Sequence, residues 1–340
     1  MMPRPLLRDT FGLTYRKIPV LAIGRDVYCD TSLIVEALER RFEEKEGYGT
    51  VYPRAGDGKR NRGIIRGFAS YWTDRPLFRV TTGLIPPTVW RTSFGADRAD
   101  LIGHALDPEK LARKIPLNLS NLDLHLSLLE PQFHCGIHTG SPYIFSTPTP
   151  SLADISLYYQ LTWAADIAAG RGLYNLTGGG TADADAANTS TTSSFLDRIL
   201  SAPRYPALHR WRSSFSSYIA SLPSTETHVV NPTADTAWRD GIAAQQPLEG
   251  DELLLPTPAA ALAELDAALG LRKGAGVSVA PDDTGRGDPT VGRLVGWGPE
   301  EVVVEPEEEG IVPGVRVHFP RLGFVVKSVG GSGSGGRARL

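Results

Sequence analysis

With 340 residues and 41% hydrophobic content, the chain has enough material for two or three domains with real cores. A net charge of −3 and a pI near 6.2 argue against a general polyanion binder, so nucleic acid is not an expected partner. Two cysteines are too few for a disulfide framework, and no window reaches the apolar length of a membrane span.

Residues 1–14 are basic and carry Pro3 and Pro5, which fits a loop with one brief helical turn. Ile18 to Ile23 is a short apolar run ended by Gly24-Arg25-Asp26, and Val27-Tyr28-Cys29 reads as the returning strand of a hairpin. Pro19 removes a ladder donor and so belongs at an edge or a strand start, where its peptide bond is either an ordinary trans or a cis one. Asp30-Thr31-Ser32 supplies helix-start chemistry. The helix that follows places Leu33, Ile34, Ala37, Leu38 and Phe42 on one face. An acid beside a hydroxyl at a helix N-terminus suits an α-amino-acid zwitterion, since free N–H groups attract a carboxylate and the acid holds an ammonium. It serves equally as an ordinary cap. Glu43 to Asp57 reads as a charged, Gly-rich linker.

From Lys59 to Ser221 helical periodicity dominates. Ile64, Phe68, Tyr71 and Trp72 form a stripe expected to pack in a core. Leu119, Leu122, Leu126 and Leu129 form another, on a helix expected to end before Pro131. Ser151-Leu-Ala-Asp154 is a capping box opening an apolar, buried helix through Leu157, Leu161 and Ala165. The Gly/Ala/Thr/Ser run Thr177 to Ser194 predicts a disordered insertion. Beyond Pro223 one helix is expected over Glu252 to Leu271. Five short β runs follow, at Val277–Val279, Thr290–Trp297, Val302–Val304, Val315–Phe319 and Phe324–Lys327, and they suggest a small antiparallel barrel. Gly330 to Leu340 reads as a flexible tail.

Ile18-Pro19-Val20-Leu21, the hairpin and Asp30-Thr31-x-x-Ile34 together resemble the second half of the thioredoxin-like domain of glutathione transferases. The Ser151-x-x-Asp154 box resembles that of the central helix in their helical domain. Leu128-Leu129-Glu130 and Pro142-Tyr143-Ile144-Phe145 resemble its approach, and Tyr205-Pro206-x-Leu208-x-x-Trp211 its last helices. The resemblance covers about residues 15 to 222, and the C-terminal extension is similar to that of a group of fungal transferase-like proteins. It implies a cis Pro19, Ile18 pairing its backbone with the cysteinyl part of glutathione, and Asp30 and Thr31 holding the γ-glutamyl end. It also implies that the first β-α-β unit, with its Tyr, Ser or Cys position, is missing, so that the hairpin lacks its sheet partner and no catalytic residue can be assigned: either the sequence is truncated at its N-terminus or this form cannot do the chemistry, and the chain as it stands is expected to be inactive.

The expected fold class is therefore α+β multidomain. An incomplete thioredoxin-like α/β domain occupies 1–50, and an all-helical glutathione-transferase C-terminal-like domain 58–222, with the disordered insertion at 177–194. A linker with one helix spans 223–274, a small antiparallel β-barrel-like module 275–329, and a disordered tail 330–340. Glutathione is expected as substrate, without a metal, and small electrophiles would be conjugated or reduced if the chain were active, with Tyr71 and Trp72 on the electrophile side. The other reading is a non-catalytic transferase-fold interaction protein whose β module takes a protein partner. A homodimer, a cytoplasmic location and no membrane association complete the expectation. His134-Cys135-x-x-His138 has metal-like residue types in an expected loop without a second half-site. Cys29 is expected to be a small buried hydrophobe, and His318-Phe-Pro-Arg321-Leu-Gly-Phe324 either a binding edge or hairpin packing. Asn118, Asn175 and Asn188 begin Asn-x-Ser/Thr triplets, read as chance.

Overall fold

The computed structural model describes residues 4–171, 186–223, 237–256 and 263–329. The tail and the first half of the expected insertion lie outside them. The chain forms two compact units. The first comprises Met1–Arg41, Leu101–Gly103 and Thr227–Leu340, and the second comprises Phe42–Asp100 and His104–Glu226.

The first unit is built on one seven-stranded sheet. After helix α1 (Pro5–Phe11), strands β1 (Val20–Ile23) and β2 (Asp26–Cys29) form the hairpin, and helix α2 spans Thr31–Arg41. The two-residue turn has Gly24 at φ 60° in its first position, the conformation that a II′ hairpin turn reserves for glycine. Strands β3 (Gly276–Pro281), β4 (Thr290–Trp297), β5 (Glu301–Glu305), β6 (Arg316–Pro320) and β7 (Phe324–Ser328) complete the sheet, in the order β1-β2-β6-β5-β4-β3-β7. All five expected C-terminal strands form, but not as a separate barrel. Strand β2 pairs in parallel with β6, Val27 opposite Val317, so the hairpin has a sheet partner supplied by the C-terminal strands. The expectation of a hairpin without one, and of an independent β module, is corrected by this ladder. The cause is visible in β2: all four of its residues are buried, as a strand covered on both faces and paired on both edges must be.

One face of the sheet carries the larger core. Val27, Cys29, Val302, Val304, Val317 and Phe319 pack there with Phe11, Leu13 and Tyr15 from the N-terminal segment. Thr14 Oγ1 bonds the Asp288 carbonyl at 2.8 Å, and Lys17 Nζ pairs with Asp283 at 2.7 Å, so the chain entering β1 is fixed to the C-terminal strands. On the other face Tyr28 packs with Leu33, Ile34 and Ala37 of α2. The helix expected over 252–271 forms only as Ala263–Ala268 within the described residues, and Leu269–Gly270–Leu271 turns the chain towards β3.

The second unit is helical. Helix α3 (Arg62–Gly67) runs into a stretch with i→i+5 winding (Phe68–Leu77) and then α4 (Phe78–Thr82). The wide winding rotates the faces away from a 3.6-residue stripe. Of the expected core stripe Phe68 is buried, whereas Tyr71 within the winding stands at the surface, as does Ile64 in α3 ahead of it; Ile65, Ala69 and Leu77 are buried instead. Helices α5 (Pro87–Trp90), α6 (Ser93–Ile102) and α7 (Pro108–Ala112) lead to α8 (Ile115–Thr139). Leu119, Leu122, Leu126 and Leu129 are all buried, as expected. The helix does not stop at Pro131, because the turn beyond it is held by packing: Phe133 is buried against Trp211, ring centroids 5.0 Å apart. His134-Cys135-x-x-His138 therefore lies in a helix rather than a loop.

Helices α9 (Leu152–Ala168), α10 (Ala186–Ile199) and α11 (Pro206–Ser221) close the unit. Residues 186–194, expected to be disordered, are helical, and Leu196 and Leu200 anchor the end of that segment in the core. The capping box forms as expected, with Ser151 N and Oγ donating to Asp154 Oδ2 at 2.9 and 2.6 Å. The other oxygen, Oδ1, accepts Ile144 N at 2.9 Å and Trp211 Nε1 at 2.8 Å, so one buried carboxylate ties α9, the preceding loop and α11 together. Glu130 plays the matching part at α11, accepting the Ala207 and Leu208 N–H groups at 2.7 and 2.9 Å.

Candidate functional site

The antiparallel register pairs Val20 with Cys29. This is the last pair of the ladder, so Ile18 and Pro19, which lead into β1, and Asp30 and Thr31, which follow β2, lie at the same end of the hairpin. The Ile18–Pro19 peptide bond is cis, and both residues are exposed. Asp30 sits at φ 73°, in the left-handed region that Asp tolerates better than most residues. Its carbonyl accepts the Leu33 and Ile34 N–H groups, and its Oδ1 accepts Ser32 N at 3.0 Å and Ser32 Oγ at 2.5 Å. Asp30 is thus a true helix cap, but one that uses a single oxygen. Its Oδ2 has no hydrogen-bond partner among the described residues, nor does the exposed Thr31 hydroxyl at the start of the 11-residue α2. What remains open is a carboxylate oxygen and a hydroxyl at a helix N-terminus, beside an exposed strand-start backbone.

Cys29, next to this cluster, is fully buried, and burial, aided by the charge on Asp30, pushes its thiol well above the usual range. It offers no reactive thiolate. Tyr71 and Trp72 belong to the second unit, where Tyr71 is exposed and Trp72 Nε1 lies 3.3 Å from His125 Nδ1.

A second cluster, unforeseen in the sequence, lies beneath α2 on the same sheet face as Tyr28. His318 on β6 is fully buried between two carboxylates, Nε2 at 2.8 Å from Asp26 Oδ1 and Nδ1 at 2.5 Å from Glu301 Oε1. Arg316 Nη2 bonds Asp26 Oδ2 at 2.7 Å, and Tyr28 stacks on the imidazole with centroids 4.4 Å apart. Backbone N–H groups of Leu248 and Leu255 complete Asp26 and Glu301 at 3.2 and 2.7 Å. With an acceptor on each ring nitrogen, the imidazole donates both protons and is a cation. Burial alone would lower its pKa, but the bonds to Asp26 and Glu301 raise it on balance. Burial works in the opposite sense on Asp26, yet its bonds to His318 and Arg316 hold it below the usual carboxylate range. The His318–Phe324 stretch, weighed above as a binding edge, therefore has its histidine in the interior. A signal existed in the sequence: Asp26, Glu301, Arg316 and His318 interrupt apolar runs with the parity of one sheet face.

Among the described residues no group of three or more His, Cys, Asp or Glu is arranged to hold a metal ion. The side chains of Cys135 and His138 lie outside those residues, and His134 Nε2 lies 3.3 Å from Glu130 Oε1. Within the described residues no helix is long and apolar enough to cross a membrane.

Residues 82–172, from the end of α4 to just beyond α9, match a family model described as a domain of unknown function, DUF7962. No curated protein matches the chain. Among solved structures it is similar to a GST-like protein from Pseudomonas syringae, at 24% identity and a TM-score of 0.51, over 96% of this chain and 87% of that one. At that level the likeness is one of fold. The chain has a GST-like fold.

Proposed function

We propose that the chain binds glutathione at the cis-proline end of the hairpin. Asp30 Oδ2 would take the α-ammonium of the γ-glutamyl end. The Thr31 hydroxyl and the first turn of α2 would take its carboxylate, and the Ile18 backbone would pair with the cysteinyl part. The observation that supports this reading is that the last hairpin pair, Val20 with Cys29, leaves Ile18, Pro19, Asp30 and Thr31 at one end of the hairpin, with a carboxylate oxygen and a hydroxyl left open. The GST-like fold supports it. Conjugation or reduction of an electrophile is not assigned to any described side chain, since Cys29 is buried, so the proposal is one of binding. The interaction-protein reading, with the C-terminal strands as a partner module, loses support because those strands are the body of the first unit's sheet.

Calorimetric titration with reduced glutathione tests this. Saturable heat is expected from the full chain. Asp30→Asn keeps an acceptor for Ser32 and tolerates φ 73°, but loses the charge, so it should weaken binding about tenfold while moving stability by less than about 0.5 kcal/mol. Asp30→Ala should lose both affinity and about 1 kcal/mol of stability. No saturable heat at millimolar glutathione would end the reading, and an Asp30→Asn variant of unchanged affinity would leave Asp30 as a cap alone.

A further inference from the structure

The second unit contains a pocket of about 500 Å³ bounded by α5, α7, the first half of α8 and α10. Its size is that of a small-molecule site. Ile115, Leu119, Phe195 and Ile199 give it apolar walls, and two arginines, Arg198 and Arg204, also line it. The arginines differ in state. Arg204 is held by Asp123, Nε to Oδ1 at 2.6 Å with a second contact to Oδ2, and Asp123 is further engaged by the Tyr205 hydroxyl at 2.9 Å. The acid on the pocket wall is thereby neutralised. Arg198 forms no ion pair with a described residue. Its guanidinium lies 6.0 Å from the ring centroid of Phe195, which is half exposed at 50%. One uncompensated cation beside an apolar cavity matches a ligand with one anionic end and an apolar body, and a guanidinium fork fits a carboxylate.

We propose that this pocket binds an apolar-tailed monocarboxylate, its tail against Ile115, Leu119 and Phe195 and its carboxylate on Arg198. The pocket lies wholly within the second unit, so the inference is independent of glutathione binding by the first. Titration of the full chain with octanoate, decanoate and 1-octanol tests it. Both acids should saturate one site, with decanoate on the order of tenfold tighter because two more methylenes leave water. Arg198→Gln should weaken both acids about tenfold and leave 1-octanol unchanged. Ser120→Trp, which puts a large side chain into the cavity from the exposed side of α8, should abolish binding with the circular dichroism spectrum intact. Absence of saturable decanoate binding, equal affinity in Arg198→Gln, or full binding in Ser120→Trp would each overturn the proposal. Decanoate affinity should be the same in Asp30→Asn as in the parent chain.

Discussion

Replacing His318 with alanine should cost the first unit about 3–5 kcal/mol, measured by urea unfolding, because it leaves two carboxylates buried without the cation between them. Arg316 still compensates Asp26, so the uncompensated charge is mainly that of Glu301. Adding Glu301→Gln to His318→Ala should therefore restore stability, since glutamine keeps an acceptor for Leu255 N and carries no charge. A His318→Ala variant that loses less than about 1 kcal/mol would show that the cluster does not hold the sheet together. The same groups fix a pH dependence. His318 is raised from 6.5, so its contribution is whole below that value and is lost as pH rises through its folded pKa. Asp26 is lowered from 3.8, so its contribution is whole above that value and is lost as pH falls through its folded pKa. The stability difference between the parent chain and the neutral triple variant Asp26→Asn, Glu301→Gln, His318→Met should be greatest between these two reference values and decline on either side. A difference that does not change with pH would contradict the charged assignment.

The second unit has its own sensitive point in Asp154. Asp154→Ala strands four donors at once: Ile144 N, Ser151 N, Ser151 Oγ and Trp211 Nε1. Each unsatisfied buried donor costs about 1–3 kcal/mol, less than additively when the loop relaxes, so a loss of about 4 kcal/mol is expected. Asp154→Asn should recover little, because its amide group faces N–H and O–H donors where the carboxylate accepted. Trp211→Phe removes only one of the donors and keeps an aromatic ring near Phe133, so it should cost distinctly less than Asp154→Ala. Unfolding followed by tryptophan fluorescence would rank the three. If Asp154→Ala proved milder than Trp211→Phe, aromatic packing rather than the carboxylate would be the tie.

These two clusters show what could be read from residue order and what could not. The Ser151–Asp154 box, the Leu119–Leu129 stripe, the hairpin and all five late strands follow from local periodicity and capping, and the structure contains them. The second role of Asp154, as acceptor for Trp211 Nε1, depends on a contact 57 positions away that no local pattern encodes. The parallel ladder between β2 and β6 is non-local in the same way, and it turned an expected separate module into part of the first sheet. Pro131 and the 68–77 winding went the other way, since tertiary packing overrode a local stop signal and a 3.6-residue period. At the hairpin end the residue types were legible, including Pro19, but not which Asp30 oxygen the cap consumes. Arg198 and its pocket left no trace in the sequence because its walls come from four helices.

The parallel pairing of β2 with β6 also sets an order of events during synthesis. Asp26 meets His318 across 292 positions, so the hairpin leaves the ribosome long before the strand that completes its sheet exists. The second unit lies wholly between them in the chain and can finish folding first, as domains generally do when they emerge intact. Closing the first unit then means joining two distant chain segments across an already compact insert. This is late and high in contact order, but it is cheaper in loop entropy than the same closure over an unfolded chain. Nascent chains halted before Arg316 should therefore protect the helical segment from protease while leaving Val20–Cys29 open to cleavage.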